Sequence, residues 1–110
     1  MGTSDDFECT ITKSGDDATV SVRGEIDAAS GPSLTEAVSA LTLDGMARLV
    51  IDLDHVTFID SRGLSALLEA YRAVTSSDMA FAVVNPPPSV QRLFRMTGVD
   101  AFLLDGDAAS

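Results

Sequence analysis

Apolar side chains recur along this chain with two different periods, and the points where one period gives way to the other mark out its elements. Phe7, Cys9 and Ile11 alternate with Glu8, Thr10 and Thr12, and Ala18, Val20 and Val22 alternate with Thr19, Ser21 and Arg23. A period of two belongs to strands that rest one face on a core. Ser14-Gly15-Asp16-Asp17 between the two runs is turn chemistry. The chain is therefore expected to open with a β-hairpin whose buried side includes the Cys9 thiol. After Gly24-Glu25-Ile26-Asp27 the period changes, and Leu34, Ala37, Val38 and Leu41 recur at helical spacing. Ser30 stands where an N-cap would, Pro32 falls in the first turn, and the helix is expected to end near Asp44-Gly45.

Leu49-Val50-Ile51-Asp52-Leu53 shows no polar face until its end, which predicts a central strand covered on both sides by helices. A connection through His55 and Phe58 leads to Asp60-Ser61, and from there Leu64, Leu67, Leu68, Tyr71 and Val74 form one stripe of a second helix. Met79 to Val84 is strand-like again, and Asn85-Pro86-Pro87-Pro88 stops it, because proline lacks the N–H a ladder needs. A third helix is expected from Ser89 to about Thr97, with Val90, Leu93 and Phe94 inward and Gly98 as its stop. Phe102-Leu103-Leu104 reads as a short edge strand or a closure of the core, and residues 105–110 as a frayed tail. Strands alternating with helices over short connections predict an α/β fold, with packed helices on a mixed, mostly parallel sheet.

Composition narrows the classes of function. A chain of 110 residues, 45% of them hydrophobic, suffices for one core, so residues 1–110 are expected to be a single domain with its core at about 7–104. The net charge is −10, and residues 1–60 carry twelve acids against three bases, whereas residues 61–110 carry five against four. Such a surface repels a polyanion, and no Lys/Arg cluster offers a local exception, so no nucleic acid is expected as a partner. No run approaches the roughly 18 apolar residues of a membrane span. Ser4-Asp5-Asp6 is acidic where a signal peptide is basic, and the single cysteine excludes an internal disulfide. These features together predict a cytoplasmic protein with no membrane partner.

Parts for catalysis are scarce. One His, one Cys and no phosphate-cradling glycine pattern leave no base, nucleophile or metal set, so neither an enzyme nor a cofactor is expected. His55 lacks a second His or Cys to pair with and reads as a plain loop histidine. Asp52, Asp54 and Asp60 lack the loop spacing of known Ca²⁺ motifs and read as strand-end and capping acids. Ser61 has the unusual setting. It opens a helix whose first amides lack internal partners and whose dipole favours negative charge, so a phosphate there is electrostatically tolerated. Serine and aspartate are also the preferred caps, and from the residues alone a purely capping role stays open.

Phe58-Ile59-Asp60-Ser61-Arg62-Gly63-Leu64, preceded by Val50-Ile51-Asp52-Leu53, closely resembles the signature of STAS-domain anti-sigma factor antagonists. Gly24-Glu25-Ile26-Asp27 resembles that family's turn before the first helix, and Val84-Asn85-Pro86 with Phe94-Arg95-Met96-Thr97-Gly98-Val99 resembles its C-terminal third. The resemblance implies a single STAS domain that binds an anti-sigma factor of the histidine-kinase-like ATPase type and so frees a sigma factor. It also implies that this partner phosphorylates Ser61 and thereby ends the binding, with a phosphatase as a further partner able to reset it. Asp27, Asp60, Ser61, Arg62, Gly63 and Leu64 are the partner-binding residues it implies. Arg62 departs from the pattern, since the family often has a second small hydroxyl residue there. STAS domains also serve as scaffolds or regulatory subunits in stress-signalling and phospholipid-transport complexes, which is the alternative reading.

Overall fold

The computed structural model describes residues 7–99. The expectations for Phe102-Leu103-Leu104 and for the tail lie outside the described residues, as does the end of the expected core.

The hairpin forms as the alternation requires. Strands β1 (Glu8–Ser14) and β2 (Asp17–Ile26) pair antiparallel, joined through Gly15 at a φ of 61° that suits glycine. Helix α1 (Gly31–Leu43) buries Leu34, Val38 and Leu41, and β3 (Arg48–Ile59) then enters the sheet parallel to β2. Helix α2 (Ser61–Ser76) buries Leu64, Leu67, Ala70 and Val74 on one stripe. Strand β4 (Ala80–Val84) adds a parallel edge, and α3 (Pro88–Thr97) ends on Gly98 in the left-handed conformation. The sheet order is β1-β2-β3-β4, with one antiparallel pair and two parallel ones, as the alternation of elements predicts. Val20, Leu34, Ile51, Leu67 and Phe94 are completely inaccessible at the centre of one core. Each side chain of that size stabilises the fold by about 1.5–3 kcal/mol through its removal from water.

Four expectations are corrected. Strand β3 does not end at Leu53 but runs on to Ile59, so the stretch through His55 and Phe58 is strand and not connection, and His55 is an exposed strand residue. The reason is irregular pairing: Ser21 faces Asp52 but Arg23 faces His55, and Gly24 faces Val56 but Glu25 faces Phe58. Each jump inserts one extra residue into β3, and each extra residue flips the side-chain alternation. The buried positions after Leu53 are consequently Val56 and Ile59, three apart, which no period-two reading detects. Second, β2 extends through Gly24, at a φ of 94°, to Ile26, where a turn was expected. Third, β3 is not covered on both sides: Leu49, Ile51 and Leu53 are buried, while Val50 and Asp52 between them are only half-buried. Fourth, β1 is a weakly covered edge: Cys9 is half-buried, not fully buried, and Ile11 is 42% exposed. The partial burial still disfavours a thiolate and raises the Cys9 pKa to about 11.

Candidate functional site

The chain positions the start of α2 by three contacts made with almost no side-chain volume. Asp60 takes the N-cap in extended conformation, and its carboxylate accepts the Gly63 N–H at 2.9 Å. The Asp60 N–H donates to the Ile26 carbonyl at the end of β2 at 3.3 Å. Gly63 lies directly on that carbonyl, so closely that a Cβ at this position would overlap the Ile26 backbone. Glycine is required here for close approach and not for an unusual backbone angle.

The start of α1 is built by an equally local network. Asp27 Oδ1 accepts the N–H groups of Ala29 and Ser30 at 3.0 and 3.1 Å. These donors hold the Asp27 carboxyl below its ordinary value, the Ser30 amide having the largest effect. Ser30 stands at the N-cap position, yet its side chain does not cap the helix. Its buried hydroxyl donates to the Glu25 carbonyl at 2.7 Å and accepts the Asp27 N–H at 3.0 Å, fastening β2 to α1.

These two helix starts lie side by side, with Gly31 against Ala66, where even an added methyl on Gly31 would meet the Ala66 Cβ at 3.2 Å. Between them opens a groove of about 490 Å³ whose lining includes Asp27, Ser61, Arg62, Ser65 and Glu69. Of the residues singled out from sequence, the fold brings Asp27, Ser61 and Arg62 together in this groove. Asp60 is half-exposed at its cap, and Gly63 and Leu64 are buried beneath, so they shape the surface from below. Ser61 is exposed, and its hydroxyl makes no hydrogen bond among the described residues. Asp52 and Asp54 do not join Asp60. Asp52 accepts from the Asp54 N–H at 3.0 Å and from the Asn85 side chain at 3.2 Å, and no metal-holding cluster occurs among the described residues. Sequence reasoning missed Ser65 and Glu69, although Ser61, Ser65 and Glu69 recur every fourth residue and so share one face of α2.

The model of the STAS domain matches residues 8–107, nearly the whole chain. The chain belongs to the STAS domain family. This STAS domain is 31% identical over 100 residues to the anti-sigma-F factor antagonist RsfB of Mycobacterium tuberculosis, a match covering 91% of this chain and 81% of that protein. It is 29% identical over 80 residues to the anti-sigma-B factor antagonist of Staphylococcus aureus, covering 73% of this chain and 74% of the other. Among solved structures, an anti-sigma factor antagonist from Mycobacterium paratuberculosis superposes with a TM-score of 0.80 at 32% identity, over 94% of this chain and 87% of that one. The STAS fold also aligns with unphosphorylated SpoIIAA at a TM-score of 0.65 and 18% identity, over 82% of each chain, a likeness of fold alone. Among the described residues of this STAS domain, no helix is long and apolar enough to cross a membrane.

Proposed function

We propose that this STAS domain is an anti-sigma factor antagonist that docks through the paired starts of α1 and α2 and is switched by phosphorylation of Ser61. Its partner is an anti-sigma factor of the histidine-kinase-like ATPase type, held by the unmodified form so that a sigma factor is released. The observation that carries this reading is the setting of Ser61: a free, exposed hydroxyl on the lip of a groove, on a helix start fixed from beneath by Asp60 and Gly63. In the transfer, the Ser61 oxygen bonds to the γ-phosphorus of ATP. The bond from that phosphorus to its bridging oxygen breaks with its electrons on ADP, and the hydroxyl proton passes to a base of the kinase. The phosphate brings about −1.5 to −2 charges and substantial bulk to a surface that the partner meets as a neutral hydroxyl. Binding is lost through desolvation and repulsion without unfolding, since negative charge at a helix start is neutral or stabilising by about 0.3–1 kcal/mol.

Incubation with candidate anti-sigma factor kinases and ATP is expected to place one phosphate, on Ser61, as located by mass spectrometry. Calorimetry with the same partner is expected to show Ser61→Asp binding at least about tenfold more weakly than Ser61→Ala, with the thermal midpoint undiminished. A phosphate found elsewhere or nowhere, or equal affinities for the two variants, overturns the proposal.

A further inference from the structure

A phosphate on Ser61 gains from the start of α2 but adds its charge to a groove that already holds acids. The β2–α1 junction lines the groove with Asp27, α2 contributes Glu69 two face-repeats along from Ser61, and the Asp60 carboxylate sits at the adjoining cap. Helix α1 lines the groove with Gly31, Pro32 and Thr35, none of them charged. Against these acids stands one cation. Arg62 is exposed, lines the same groove as Ser61, and makes no ion pair among the described residues. Its neighbour Asp60 accepts the Gly63 N–H through Oδ1 and forms no ion pair with it among the described residues.

We propose that Arg62 is the intramolecular counter-ion of phosphorylated Ser61, its long side chain folding back along the start of α2 onto the phosphate of the preceding residue. The idea rests on the reading of Ser61 as the modified residue and deepens it. A guanidinium presents several donors in a fixed fork that matches phosphate oxygens, and charge-assisted bonds of this kind are roughly twice as strong as neutral ones. The unmodified protein leaves that fork unoccupied, so it costs no existing ion pair to recruit. Two consequences follow. The dianionic phosphate is favoured over the monoanion, and a phosphatase must first displace Arg62 to reach the phosphorus.

The test uses the full chain with phosphoserine installed at position 61 during translation, so that no kinase is needed. Phosphorus NMR is followed across the second ionisation of the phosphate, which lies near pH 6 in free phosphoserine. The protein with Arg62 is expected to titrate at least about half a unit lower than its Arg62→Gln counterpart, with Arg62→Lys recovering part of the shift and Arg72→Gln, on the same helix, leaving it unchanged. A nonspecific alkaline phosphatase is expected to remove the phosphate several-fold faster from the Arg62→Gln protein. Superimposable titrations of the parent and Arg62→Gln proteins, or a shift reproduced by Arg72→Gln, overturn the counter-ion role whatever a kinase does. Failure of every kinase to modify Ser61 would overturn the switch reading and leave this result standing.

Discussion

At the scale of single residues, Gly63 shows how a site can depend on an atom that is missing. Its hydrogen lies where any side chain would strike the Ile26 carbonyl, and that carbonyl is already committed to the Asp60 N–H. Replacing it requires the helix start and the end of β2 to separate, and overpacking of this kind costs about 1–3 kcal/mol or more. Gly63→Ala is therefore expected to lower the urea midpoint by the equivalent of at least about 2 kcal/mol. Denaturation curves that overlay those of the unchanged protein would show that the approach is looser than the geometry states. Sequence marked Gly63 only as part of a resemblance, because the steric need arises from a residue thirty-seven positions earlier. Ser30 was legible as a residue at a helix start, but its hydroxyl reaches backwards to Glu25 and leaves the helix uncapped, a choice set by the tertiary position of the strand end.

At the scale of elements, period and punctuation announced the three helices and the cores of the four strands among the described residues, even though β1 buries almost none of its alternating face and β4 buries three residues in a row. Strand β3 escaped because its second half is irregular, and β2 because the strand continues through a glycine that reads as a turn. Exposure of Ile11 escaped because alternation reports which face a side chain takes, not how much of that face is covered. The β2–α1 junction carries a pH-dependent joint. Asp27 is depressed below its ordinary value of 3.8 in the folded chain, so its ionised form contributes stability that is complete above that value. The contribution is lost as pH falls through the lower folded pKa. Asp27→Asn keeps the oxygen acceptor but not the charge, so its stability is expected to fall less steeply than the parent's below about pH 4. Urea midpoints collected at a series of acidic pH values provide the check, and parallel profiles for the two proteins would remove Asp27 from the acid response.

At the scale of the whole molecule, the acid excess matters more than any one pair. The described ion pairs, Lys13 with Asp44 at 2.7 Å and Arg23 with Glu8 at 3.6 Å, lie on exposed surface, where such contacts contribute at most about 1 kcal/mol. A net charge of −10 on 110 residues therefore remains largely uncompensated and repels itself in the compact state. Screening is expected to stabilise this protein: its thermal midpoint should rise as sodium chloride increases from about 0.02 to about 0.2 M, over which the screening length shortens severalfold. A midpoint indifferent to salt would show that the acids are spaced too widely to interact.

The fastening of Asp60 and Gly63 to Ile26 also sets how a signal can travel. A helix held at its first turn by a backbone bond and by direct contact with a strand end resists sliding past that strand. Such a part is a stator. On the proposed function, chemistry added at Ser61 is read where it stands, by whatever meets the start of α2.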